Sequence, residues 1–89
     1  MKVKVLYFAS LREQLGRGSE EVELPAGAST LGALRALLIG RGGNWQTALA
    51  ADKPVRMAVN QDMVPRGAGQ ELAIKGGDEI AFFPPVTGG

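Results

Sequence analysis

Apolar and polar positions alternate from the start of the chain. Residues 2–8, Lys-Val-Lys-Val-Leu-Tyr-Phe, are β-branched and aromatic with a period of two, the mark of a strand. Val3, Val5 and Tyr7 fall on one face. Lys2, Lys4, Leu6 and Phe8 fall on the other, which begins polar and ends apolar. Residues 9–15 are expected to form a short helical turn closed by Gly16 and loosened by Gly18. Residues 21–24, Glu-Val-Glu-Leu, alternate again until Pro25, and the short connection predicts an antiparallel hairpin with the first strand. The period then changes. Ser29 and Thr30 supply capping hydroxyls for a helix from Leu31, in which Leu31, Leu34, Leu37 and Leu38 are expected in the core and Arg35 on the wet side. Ala33 and Ala36 fill in around them, and Gly40, Gly42 and Gly43 end the helix through the left-handed conformation that glycine tolerates.

Residues 45–50 predict a short second helix with Trp45 and Leu49 turned inward, ended by Pro54. Arg-Met-Ala-Val-Asn at 56–60 reads as a third strand, with Met63 and Val64 as a short partner before Pro65. Residues 66–70 read as a glycine-rich loop. Gly76, Gly77 and Asp78 form a tight turn that launches the last strand, Glu-Ile-Ala-Phe-Phe at 79–83, and Pro84 and Pro85 terminate it. The order predicts an α+β fold, a sheet with one main helix packed on one face.

Composition narrows the chemistry. At 89 residues the chain is one domain. Ten basic residues against nine acidic ones leave +1, which argues against a nucleic-acid footprint and against polybasic membrane attachment. The sequence has neither cysteine nor histidine. Disulfides, thiolate or imidazole metal ligands, and a neutral-pH base are therefore excluded, and no metal site is expected. The apolar run at the N-terminus is too short for a signal peptide, and no segment is long enough to span a bilayer. The expectation is a cytoplasmic protein that is not catalytic alone.

The final six residues, Pro84-Pro85-Val86-Thr87-Gly88-Gly89, carry the chemical signal. Proline has no N–H to offer a sheet, so the strand cannot continue, and two prolines favour an extended path away from the body. Four further residues reach about 13 Å when fully extended. Gly88 and Gly89 have no side chains and can enter a narrow channel, so residues 84–89 read as a tail on a domain of residues 1–83 that presents the Gly89 carboxylate. An ionised carboxylate is a poor electrophile, so acyl chemistry at Gly89 needs activation, most simply by ATP to an acyl-adenylate. The run from Gly40 to Gly43 lacks the lysine of a phosphate-binding loop, so a partner must bind that nucleotide.

Phe82 and Phe83 cannot both face a core. With Ile80 and Phe82 inward, Glu79, Ala81 and Phe83 point outward. If the first and last strands are neighbours, Leu6, Phe8 and Phe83 form an exposed apolar patch beside the tail, the kind of surface that partners cover. Arg12 is a candidate to dock a partner carboxylate, against the plainer alternative of a solvated turn residue. Glu20, Glu21 and Glu23 read as an exposed strand face, and Asp78 as a turn residue.

Residues 79–89, Glu-Ile-Ala-Phe-Phe-Pro-Pro-Val-Thr-Gly-Gly, resemble the C-terminal signature of the ubiquitin-like sulfur carriers that form the small subunit of molybdopterin synthase. Residues 3–9 with Leu11, Arg12 and Glu13, residues 58–61, and Gly77 and Asp78 resemble other parts of that family. The resemblance implies a β-grasp fold. It also implies that an ATP-dependent, E1-like enzyme adenylates Gly89 and that sulfur from a donor such as a cysteine desulfurase converts it to a thiocarboxylate. The tail then enters the large subunit of a heterotetrameric synthase and gives its sulfur to a cyclic pterin precursor, forming the molybdopterin dithiolene. On this view the chain itself binds no cofactor, and ATP belongs to the activating partner. Carriers for thiamine or tRNA thiolation share most of these features, and so does a ubiquitin-like modifier joined to lysines through Gly89.

Overall fold

Strand β1 (Lys2–Tyr7) is an interior strand of a five-stranded sheet, with Val3, Val5 and Tyr7 pointing to one side and all at most 1% exposed. The computed structural model describes residues 1–50, 53, 55–65 and 71–84. Along the chain β1 is followed by α1 (Ala9–Leu15), β2 (Ser19–Glu23), α2 (Leu31–Ile39), α3 (Gly43–Leu49), β3 (Arg56–Val59), β4 (Asp62–Met63) and β5 (Glu79–Phe83). The sheet order is β2-β1-β5-β3-β4. β1 pairs with β2 antiparallel and with β5 parallel, and β3 pairs antiparallel with both β5 and β4. The predicted hairpin and strands are all present, α2 is the main helix expected, and the short helical turn and short second helix expected at 9–15 and 45–50 are α1 and α3. This topology is the β-grasp fold.

Helix α2 covers the inner face. Thr30, not Ser29, is its N-cap: the hydroxyl accepts the Ala33 N–H at 3.1 Å. Leu31, Leu34 and Leu38 are fully buried against Val3, Val5, Ile80 and Phe82. The buried stripe is 31, 34, 35 and 38, the i, i+3, i+4, i+7 spacing of a helix face. Two expectations fail here. Leu37 turns away and is 39% exposed, whereas Arg35 is buried. Arg35 Nε donates to the Leu49 carbonyl at 2.8 Å, and Nη2 donates to those of Ala50 and Lys53 at 2.7 and 3.0 Å. Carbonyls at a helix C-terminus lack intrahelical partners, so the end of α3 draws the guanidinium inward. The expected cap conformation also shifts: Gly40 is right-handed, while Gly42 and Gly43 take positive φ values.

A second correction concerns the acidic run. Glu20 shares the inner side with Val22, and only Glu21 and Glu23 form the exposed outer edge. One Glu20 oxygen accepts from Tyr7 Oη at 2.8 Å and Arg41 Nη1 at 2.8 Å; the other accepts from Arg41 Nη2 at 3.0 Å and Arg17 Nη1 at 3.2 Å. Arg41 also lies 4.4 Å from the centre of the Trp45 ring, which meets Tyr7 edge-on at 5.4 Å. Burial by itself raises the Glu20 carboxyl, but the hydrogen bonds from Arg41 and Tyr7 and the charges of Arg41 and Arg17 outweigh it and hold the group below the usual range. The Tyr7 phenol is pushed well above its ordinary value, first by burial and then by Glu20.

The β3–β4 hairpin turns on Asn60 and Gln61, whose φ values of 50° and 74° suit a two-residue primed turn. Asn60 also ties that turn to β5. Its backbone N–H donates to the Glu79 carbonyl at 2.7 Å, and its side-chain oxygen accepts the Glu79 N–H at 3.0 Å. Its amide donates to Asp78 at 3.1 Å, and Asp78 accepts the Lys75 N–H at 2.9 Å across the turn where Gly77 takes a φ of 90°. The Lys75 N–H, then the Asn60 amide, hold the Asp78 carboxyl below its usual range. Asp78 is thus the turn residue expected, and it is buried as well.

Replacing Asp78 by Ala strands these donors and is expected to cost about 1–3 kcal/mol in chemical denaturation. Glu20 and Asp78 both have folded-state values below their unfolded ones, so their contribution is full above the unfolded values and is lost as pH falls through the folded ones. Stability followed through the single tryptophan, Trp45, should therefore decline below about pH 4. Glu20→Gln should lower stability at neutral pH and flatten that acid limb.

Candidate functional site

The outer face of the sheet follows from the same period of two. Opposite the inward Ile80 and Phe82, residues Glu79, Ala81 and Phe83 point outward from β5. Register then decides their neighbours. Leu6 lies beside Ala81, Ala81 beside Ala58, and Ala58 beside Met63, giving one apolar row across four strands. Ala81 is on the outer side as expected but is buried, because a small side chain in a central strand is flanked by both neighbours.

A second row stands at the end of β5. The Phe8 N–H donates to the Phe82 carbonyl at 3.2 Å, which carries the β1–β5 pairing one residue past β1. Phe8 and Phe83 therefore lie side by side, with ring centroids 4.8 Å apart and planes at 8°. Phe8 is 41% exposed, the opposite of the fully buried Phe82. Ala9, at a φ of 51°, then turns the chain sharply into α1. Offset aromatic stacking of this kind is favourable beyond the area it buries. It also holds two large rings flat at the point where the strand gives way to Pro84, which is half-buried. Pro85, Val86, Thr87, Gly88 and Gly89 lie outside the described residues.

Arg12 is exposed on α1, one turn beyond Phe8, whose carbonyl accepts the Arg12 N–H at 3.4 Å. Its side chain crosses Gly18, where a Cβ would lie 3.1 Å from Arg12 Nε. The structure thus brings Leu6, Phe8, Phe83 and Pro84 to one end of one face, with Arg12 beside it. Reading the sequence alone missed Ala58, Met63 and Arg56, which extend this face over β3 and β4. Their alternation was visible; the strand order that places β3 against β5 was not.

Charged residues border the face on the side away from Phe83. Lys4 pairs with Glu79 and with Glu21, and Lys2 pairs with Glu23. Elsewhere, an open groove of about 570 Å³ between β2 and α2 is lined by Glu21, Leu37 and Arg41 among others, two strands from β5. Among the described residues no three Asp or Glu side chains gather as a metal site, and no helix is long and apolar enough to cross a membrane. The opposed facing of two adjacent phenylalanines has a direct readout. Phe82→Ala should cost about 3–5 kcal/mol, as core truncations do, and Phe83→Ala well under half of that, measured by urea unfolding.

Comparison with known proteins agrees with this fold. The model of the ThiS family matches residues 5–89. The chain is 42% identical over 87 residues to the molybdopterin synthase sulfur carrier subunit of Haemophilus influenzae, covering 98% of this chain and 99% of that one. Among solved structures, the Haloferax volcanii HVO 2177 protein superposes with a TM-score of 0.84 at 27% identity, over 100% of this chain and 87% of the other. A putative molybdopterin converting factor subunit 1 from Pyrococcus furiosus gives 0.75 at 32% identity, over 97% and 99%. With residues 5–89 matched, from within β1 to Gly89, the chain belongs to the ThiS family.

Proposed function

We propose that this chain is the sulfur-carrier subunit of a molybdopterin synthase. The observation that carries the reading is the stacked Phe8–Phe83 pair at the root of a Pro-Pro-Val-Thr-Gly-Gly end. A carrier needs two things from one short chain: a surface that a partner protein can grip, and a single reactive group held beyond it. The outer row supplies the first, and residues 84–89 supply the second.

In this mechanism the Gly89 carboxylate attacks the α-phosphate of ATP on an activating enzyme and releases pyrophosphate. The acyl-adenylate is then attacked at its carbonyl carbon by sulfur at the sulfide level, the carbon–sulfur bond forms as the bond to AMP breaks, and a thiocarboxylate is left. Its sulfur stays charged and nucleophilic near neutral pH without help from histidine or cysteine, neither of which the chain contains. The domain docks on the large subunit through Leu6, Phe8 and Phe83, with Arg12 at the border, and the glycine end passes into the active site. There the sulfur is delivered to a cyclic pterin precursor. The catalytic groups for both steps belong to the partners.

Relatives named as sulfur carrier subunits over nearly the whole chain support this substrate class over thiamine or tRNA thiolation. Deleting Gly89, or adding one residue after it, should abolish sulfur transfer in a system reconstituted from activating enzyme, sulfur source, large subunit and precursor, with an unchanged circular dichroism melt. Retained transfer by either variant would refute the carrier reading. Phe83→Asp should weaken binding to the large subunit by about tenfold or more, since buried aromatics dominate such interfaces. An unchanged affinity would remove the outer row from the interface.

A further inference from the structure

Arg56 opens β3 and stands directly across from Phe83 in the antiparallel β3–β5 pair. Cross-strand partners project to the same side of a sheet, so Phe8, Phe83 and Arg56 form one row about 10 Å long on the outer face. Arg56 is half-buried there. Its Nε is enclosed and has no hydrogen-bond partner among the described residues, and none of the ion pairs among them includes Arg56. Among the described residues, the acidic side chains of the same sheet face stand well away. Glu79 lies four residues before Phe83, about 13 Å along β5, and Glu21 and Glu23 are on β2, three strands over. Asp62 pairs with Val59 and leaves from the other side.

A guanidinium keeps its charge at any physiological pH and offers five donors in a planar fork. Enclosing one of those donors without an acceptor destabilises the free domain. An aliphatic residue at this position would simply continue the apolar row. The arrangement becomes favourable when a second molecule brings an acceptor of opposite charge, because the apolar neighbours then exclude water from the pair.

We propose that Arg56 is the charge-reading element of the partner face: it receives a carboxylate from the protein whose apolar side chains cover Phe8 and Phe83. The inference rests on the carrier reading and adds to it the chemistry of one complementary group on the partner. Because Arg56 flanks the residue before Pro84, that ion pair fixes how the domain is rotated about its tail as the tail enters the partner. The apolar row alone supplies adhesion; the off-centre charge supplies orientation and discriminates against surfaces that lack the acid.

The test is calorimetric binding of the full chain to the purified large subunit of its own synthase, at low and at high salt. Arg56→Met should weaken binding about tenfold or more at low salt and lose much of the salt dependence, with Arg56→Lys in between. The melting temperature of Arg56→Met should stay level or rise, because an enclosed unpaired donor has been removed. Wild-type affinity in Arg56→Met would overturn the inference. So would a loss of affinity accompanied by a lower melting temperature, which marks a structural arginine. Tighter binding would overturn it as well. If wild type binds and Phe83→Asp weakens binding while Arg56→Met does not, only the role of Arg56 falls. If wild type does not bind the large subunit at all, the carrier reading falls with it.

Discussion

The parallel pairing of β1 with β5 is the contact on which the rest of the molecule depends. It joins the first strand of the chain to the last, and a parallel pair needs a long crossover, here the whole run from α1 to the turn at Asp78. That pairing sets Tyr7 beside Phe82 on the helix side, where the rings lie 6.1 Å apart. One residue on, it sets Phe8 beside Phe83 on the open side. A slip of one residue would exchange the two faces, bury Phe83 and expose Phe82. The Asn60–Asp78 lock guards against this slip by bonding the start of β5 to the β3–β4 turn through both backbone and side chain.

The elements were legible wherever one face of a strand or helix is apolar and a breaker follows. β1, β2, β3 and β5 and the capped start of α2 are of this kind, and so is the opposite facing of Phe82 and Phe83. What escaped was set by partners distant in the sequence. Arg35 reads as a solvent residue until the carbonyls of α3 and residues 50 and 53 come to surround it. Its burial then leaves Leu37 outside the stripe. Glu20 sits in an acidic run that looks uniformly exposed, and only Tyr7, Arg17 and Arg41 single it out. Within the candidate site, Leu6, Phe8 and Phe83 followed from alternation. Arg56 and Met63 needed the strand order, which no local pattern encodes.

The division of labour is physical. The inner face is sealed by side chains with almost no exposure, so the body draws most of its stability from there and less from the outer row. Phe8 can stay open to solvent because Tyr7 and Phe82 already anchor its strand and its neighbour. In the proposed carrier this leaves the outer face free to be read by partners, and the chemistry is confined to one terminal carboxylate. On that proposal a chain without cysteine or histidine takes part in sulfur transfer because the reactive sulfur is acquired and is not one of its side chains.

The most direct test of the central claim is the intact mass of the chain after incubation with ATP, a sulfur source and the activating enzyme of its host. The account predicts a mass gain equal to the exchange of one oxygen for sulfur, located on the peptide that ends at Gly89 and absent when ATP is withheld. An unchanged mass, with an activating enzyme shown to load another carrier, would contradict it.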